Sequence, residues 1–235
     1  MREVIDIEEI RKILKIKKED DEKAAALLND LLDERDKIDT RLKEAKKLIK
    51  GRNAIVCGAG PSLEDSIKKI KESKFLSNSV FISADGATSA LLKYAIIPEI
   101  VVTDLDGKID DIIKASENGS IVFIHAHGDN IKRLKRYVRK IKNVIGTCQV
   151  EPFGKLYNFN GFTDGDRAVF LALKFKAKRI ILIGMDFDAE IGKYSFSYDP
   201  HKKEKKLKIA KSIIERLKRT KKKLLYLHEI TEENL

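Results

Sequence analysis

Three short acidic turns, SADG at 83–86, TDLDG at 103–107 and HAHGDN at 125–130, each follow directly on an apolar, β-branched run. Runs of this kind, without polar alternation and separated by amphipathic stretches, suit strands buried on both faces of a parallel sheet. A parallel sheet delivers the C-terminal ends of its strands to one edge, so carboxylates on these turns face a ligand crevice. Asp85, Asp104, Asp106 and Asp129 are therefore expected to converge on one pocket from separate strands. Acids placed together repel one another, and a cation held between them relieves that repulsion most simply. The chain reads as a metal-dependent enzyme acting on phosphates.

The same patterning predicts strands at NAIVC 53–57, VFIS 80–83, IVVT 100–103, IVFI 121–124 and RIILIG 179–184. A shorter VIG lies at 144–146, and LLYLH at 224–228 closes the series. Helices are expected from Ser62 to about Ser73, through Leu91, Leu92 and Tyr94, from Thr163 to Phe175, and over the basic stretch 202–220. Ser62, with Asp65 three residues on, has the form of a capping box. Residues 4–50 carry one long helical pattern, or two helices, with Leu27, Leu28, Leu31, Leu32, Ile38, Leu42 and Leu48 at helical spacing. The expected class is α/β, a mostly parallel sheet sandwiched by helices. It divides into an N-terminal helical segment, 1–50, and a catalytic domain, 51–235. Strand order does not follow from such a pattern. The amphipathic N-terminal helices lead us to expect a homodimer.

Composition narrows the setting. No run of eighteen apolar residues occurs, and MREVIDIEEI at the start is not a secretory signal, so the expectation is a cytoplasmic protein without a membrane partner. Cys57 and Cys148 lack CxxC spacing and suit buried positions in a reducing compartment. Abundant Lys and Glu with few Pro is compatible with a thermophilic source. The net charge of +11 is concentrated at 201–223 and 132–142. Such clusters serve as solvated helix faces, steer a polyphosphate, or attract nucleic acid. Without aromatic interleaving or a recognised RNA-binding signature, nucleic acid is not the expected partner.

The individual motifs carry different weights. In CGAGPS at 57–62, Gly58 and Gly60 lie between strand and helix, where free N–H groups can receive an anion; they also serve a plain turn. The loop is neither a P-loop nor a full dinucleotide fingerprint. TDLDG is sharper: Asp104 and Asp106, one residue apart after a strand, can both address one magnesium ion. The alternative is a turn at Asp106-Gly107 with Asp104 capping a helix. Asp85 is read as binding a second substrate or completing the metal's surroundings, against an ordinary helix cap. In HAHGDN, His127 is assigned to transferred phosphates and Asp129 to the metal, with His125 open between structure and function. Zinc lacks a third ligand at suitable spacing. Thr163 can cap the helix that follows, with Asp164 and Asp166 favoured by its dipole or turned to nucleotide or metal. Asp186 of GMDFD approaches from another strand end, while His201 and His228 suit the surface. Phe153, Tyr157, Asn158, Phe159 and Asn160 are candidates for a flat heterocycle. No nucleophile elbow or catalytic cysteine is evident, and the clustered acids suit phosphoryl or diphosphoryl transfer, where positioning and charge neutralisation dominate.

SADGATSALL at 83–92, PEIVVTDLDG at 98–107 and FTDGDRAVFLAL at 162–173 resemble the catalytic domain of thiamin pyrophosphokinases. GAGPSLED and HAHGDN depart from that pattern, as does GMDFD. Taken together, residues 51–230 resemble the archaeal 6-hydroxymethyl-7,8-dihydropterin pyrophosphokinase family. That resemblance implies a thiamin-pyrophosphokinase-like fold and magnesium-dependent transfer of diphosphate from ATP to the pterin hydroxymethyl group. AMP is released, and the product feeds tetrahydromethanopterin or folate synthesis. By the same resemblance Asp104 and Asp106 hold magnesium, supported by Asp85, while His127, Asp129 and Asn130 line the transfer region. Gly58, Gly60 and Ser62 become loop contacts, with Asp164 and Asp186 assigned more loosely. The GxGPS loop and strand-end aspartates also resemble nucleotide-sugar glycosyltransferases, the alternative alongside thiamin pyrophosphokinase itself.

Overall fold

Seven parallel strands form one sheet in the order β5-β4-β3-β2-β1-β6-β7. The computed structural model describes residues 6–73, 79–196 and 200–230. β1 (Asn53–Cys57) and β3 (Ile100–Thr103) occupy the expected runs, and β6 (Arg179–Ile183) stops one residue short of its own. β2 (Ser79–Ala84), β4 (Ile121–Ala126) and β5 (Val144–Cys148) extend slightly beyond theirs. β7 (Leu224–Tyr226) stops early because residues 227–229 turn into a short 3-10 helix. Every residue of β2, β3, β4 and β5 is buried, as covering on both faces demands.

The chain winds outward from β1 to β5 through α4 (Leu63–Glu72), α5 (Ala87–Lys93), α6 (Ile109–Glu117) and α7 (Ile131–Tyr137). α8 (Asp164–Lys174) then returns and lays β6 on the free edge of β1, and α9 (Pro200–Thr220) leads to β7. Because the segments after β1 and β6 leave neighbouring strands in opposite directions, a crevice opens between them at the C-terminal edge. α8 crosses the middle of the sheet, with Ala168, Val169, Phe170 and Ala172 fully buried against β1, β2, β3 and β6.

The N-terminal helical pattern resolves differently from expectation. It forms α1 (Ile7–Leu14), α2 (Lys18–Leu31) and α3 (Arg35–Ile49), not one or two helices; its first residues, 4 and 5, lie outside the described residues. α1 ends where Lys15 turns left-handed (φ 55°) and the Ile16 amide donates back to the Arg11 carbonyl (2.9 Å). Leu32 leaves helical geometry at the end of α2. Neither break carries a glycine or proline to announce it. Ala24, Ala25, Leu28, Ile38, Ala45 and Ile49 join the same apolar core as the strands, with α2 and α3 packed over the β4–β5 end of the sheet. Cys57 and Cys148 are buried and free.

Candidate active site

The acidic turns meet where the sheet edge opens. Asp85, Asp104, Asp106 and Asp129 all line one cleft, together with Gly58, Gly60, His127, Thr163, Asp164 and Asp186. Ligand oxygens of Asp85, Asp104 and Asp106 lie within 4.8 Å of one another. The placement of these acids depends on unusual backbone at two positions. Asp85 (φ 40°) and Leu105 (φ 67°) are left-handed, a conformation that non-glycine residues adopt where surrounding contacts impose it. Those contacts are visible: the Asp85 amide donates to the Val102 carbonyl (2.8 Å), Thr103 Oγ1 donates to Asp85 Oδ1, and the Leu105 amide donates to Thr103 Oγ1 (2.8 Å). Gly107 is required because a Cβ there would lie 2.3 Å from Asp85 Oδ2.

His127 fixes Asp104. Its Nδ1 accepts from the Asp129 amide (3.3 Å), so the ring proton sits on Nε2 and is donated to Asp104 Oδ2 (2.9 Å). Asn130, fully buried, donates to the carbonyls of Asp104 (2.9 Å) and His125 (2.7 Å), locking the β3 and β4 turns together. Asp129 is turned outward to Lys202 (2.6 Å), and that ion pair holds its carboxyl below the usual range despite partial burial. His125 points the other way, into the interior beside Thr147 (3.0 Å), and burial pushes its pKa well down.

The electrostatics are those of acids crowded together. Burial, then the charges of Asp106, Asp164 and Asp104, raise the Asp85 pKa well above the carboxylate range; Asp106 is raised by burial and by Asp104. Asp164 is pushed up to about 8, by burial first and Asp104 second, even though Arg167 pairs with it (3.1 Å). Asp104 moves the other way: burial opposes its charge, but the His127 hydrogen bond and imidazole, with Lys206 and Arg167, hold it well below the usual range. An all-oxygen donor set with this excess of negative charge fits a hard divalent cation.

A pH dependence follows. An acid whose folded pKa lies above its unfolded value stabilises fully below the unfolded value and loses that contribution as pH rises through the folded one. Without divalent cations, thermal stability is therefore expected to fall from about pH 4 to about pH 8, the window set by Asp164 with Asp85 and Asp106 adding the same sign. Added magnesium flattens the slope. Melting temperatures from pH 5 to 8, with EDTA and with magnesium, check this; a flat metal-free profile contradicts it.

The GAGPS loop is used differently from the expected anion cradle. The Gly58 and Gly60 amides donate to the carbonyls of Ile183 and Gly184 (both 2.8 Å). Ser62 forms no capping box with Asp65; its amide (2.9 Å) and hydroxyl (2.8 Å) are both held by Asp186. A carboxylate from the β6 turn thus takes the start of α4, where a substrate anion was expected. The α8 entry does form its cap, with Asp166 accepting from the Thr163 amide (3.0 Å) and hydroxyl (2.8 Å), so Asp166 is structural while Asp164 faces the cleft.

The proposed heterocycle set also falls elsewhere. Tyr157 donates to Asp39 of α3 (2.5 Å) and stacks on Phe159, which packs edge-on against Phe123 and Phe175. Phe153 is exposed. The aromatic residues lining the cleft are Phe162, Phe187, Tyr194 and Phe196. Sequence reasoning also missed Lys203 and Lys206, one turn apart on α9, which line the cleft near the acids. Their signal was the basic cluster itself, which does not tell which lysines face inward.

The parallel α/β sheet brings carboxylates to adjoining strand ends with helix-borne lysines beside them, at the edge where such sheets bind ligands. A family model described as 6-hydroxymethylpterin diphosphokinase MptE-like matches residues 29–192, and the chain belongs to this family. It is 42% identical over 214 residues to a 6-hydroxymethyl-7,8-dihydropterin pyrophosphokinase of Methanocaldococcus jannaschii, covering 86% of this chain and 88% of the relative. A protein of that name from Pyrococcus furiosus is 46% identical over 206 residues, 85% and 86% of the two chains. One from Methanothermobacter thermautotrophicus is 52% identical over 141 residues, 60% of each.

Proposed function

We propose that this protein transfers diphosphate from ATP to the hydroxymethyl group of 6-hydroxymethyl-7,8-dihydropterin, releasing AMP, with magnesium required. The observation that carries the reading is the trio Asp85, Asp104 and Asp106, clustered within 4.8 Å at the strand ends and lined by Lys203 and Lys206 in the same cleft. Asp104 and Asp106, with Asp85, would hold magnesium, which neutralises charge on the transferring phosphates. His127, through its Nε2 proton, orients Asp104 and keeps it ionised. Lys203 and Lys206 supply positive charge to the polyphosphate from the α9 side. Phe162, Phe187 and Phe196 give the cleft an apolar part against which flat rings can pack. The new bond joins the pterin hydroxyl oxygen to the β-phosphorus as the α–β anhydride breaks, a displacement that needs alignment more than covalent help.

The three relatives share one name, so sugar and thiamin acceptors are not favoured. The product suits tetrahydromethanopterin or folate synthesis. No helix among the described residues is long and apolar enough to cross a membrane. The test is product analysis with ATP, magnesium and the dihydropterin, beside EDTA and thiamin controls. AMP and pterin diphosphate in equal amounts, lost with EDTA, are expected. Folded protein that yields no AMP sinks the reading.

A further inference from the structure

Asp21, on α2, is one of the most deeply buried charges in the molecule, 1% exposed, and it lies outside the cleft. Its Oδ1 accepts from the Gly128 amide (3.0 Å), the residue directly after His127. Its Oδ2 accepts from Gln149 Nε2 (2.8 Å) and from Arg11 Nη2 (3.1 Å), a guanidinium that also reaches the Gln149 carbonyl (3.3 Å). Gln149 lines the cleft, and its Oε1 accepts from Arg167 Nη2 (3.4 Å), whose other nitrogen pairs with Asp164 (3.1 Å). Asp21 thus reaches the site along two routes, one to the His127 turn and one to the Arg167–Asp164 pair. The fit at the first is close: a Cβ on Gly128 would lie 2.7 Å from Asp20 Cβ, so α2 rests directly on the turn.

We propose that Asp21 is a positioning residue for diphosphate transfer, holding the 127–130 turn so that His127 stays on Asp104; this rests on the catalytic reading of that site. Asn130 anchors the turn from the sheet side, but its side-chain bonds end at the amide of His127 and the carbonyls of Asp104 and His125. Among the described residues, the Gly128 amide has Asp21 as its partner. A buried ion pair contributes little net stability compared with apolar substitutes, and its better-attested use is to specify one arrangement. Here the arrangement specified is that of a catalytic turn, imposed by the N-terminal helices.

The test uses the full-length protein. Removing one charge leaves the other buried and unpaired, so the informative variant removes both and leaves no acceptor for the Gly128 amide, Arg11→Met with Asp21→Leu, beside the single Arg11→Met. In the double variant kcat is expected to fall at least tenfold while KM for ATP changes less than threefold, and Gly128 amide exchange is expected to accelerate at least tenfold. Arg11→Met, which keeps the carboxylate on Gly128, retains most of kcat. A folded double variant with wild-type kcat and unchanged exchange overturns the proposal. In the wild-type protein the Gly128 amide must itself be protected, and exchange at the rate of an open loop overturns it even where variants fail to fold. Loss of activity in the wild type would indict the catalytic reading instead, since exchange at Gly128 is measured without substrate.

Discussion

Asp104→Asn is expected to reduce diphosphate transfer about 10³-fold while leaving the fold intact, the scale seen when one group stabilising transition-state charge is removed. The substitution is close to isosteric. An asparagine oxygen can still accept from His127 Nε2 or from the Asp106 amide, the two bonds that the carboxylate now makes (2.9 and 3.2 Å). The Asp104 carbonyl, which receives Asn130, is untouched. What disappears is the one carboxylate in the cluster held ionised against its burial. Asp85 and Asp106, with their raised pKa values, then share a site of lower charge. Circular dichroism should match the wild type. Product assay at saturating ATP and magnesium provides the check. A variant that retains a tenth of wild-type turnover removes this cluster from the reaction.

The second large effect concerns ATP itself. Replacing Lys203 and Lys206 together with alanine is expected to raise KM for ATP by about 10²-fold, taking roughly 1.5 kcal/mol for each charge-assisted phosphate contact and tenfold per 1.4 kcal/mol. Neighbouring lysines of α9 are engaged differently: Lys202 with Asp129, Lys208 with Glu204, Lys211 with Asp188. Lys205, which does not line the cleft, is the control. Salt gives a second signature, because ions screen exposed charges at distances of about 10 Å at 0.1 M. The wild-type KM should climb with potassium chloride more steeply than that of the double variant. An unchanged KM assigns the cluster to solvation of α9.

The strands were legible because a buried parallel strand is written locally, as β-branched residues with no polar alternation. The turns that follow them were legible for the same reason, and Asp85, Asp104 and Asp106 lie together as strand-end logic requires. What could not be read depended on partners distant along the chain. Ser62 had a local capping partner in Asp65, yet a carboxylate 124 residues away took its hydroxyl. Tyr157 resembled a stacking surface until α3 supplied Asp39 to its hydroxyl and Arg35 over its ring. Asp21 was one acid in a charge-rich helix, and nothing nearby showed that it would be the buried one. Strand order, too, is decided by which edge of β1 the chain returns to, a choice made by packing α8 and not by any strand's own residues.

The cleft takes walls from segments far apart in synthesis: Ile16, and Lys203, Lys206 and Leu207, with α1 packed against α9. The stretch shared most plainly with the family, 29–192, lies between them and contains the acid cluster but neither flank. On the ribosome the acids therefore emerge long before the lysines that balance them. A nascent chain halted near residue 190 carries the carboxylates with Arg167 beside Asp164 but without the lysines of α9. The cleft is completed only when α9 folds, so an unfinished chain holds its acids with part of their counter-charge.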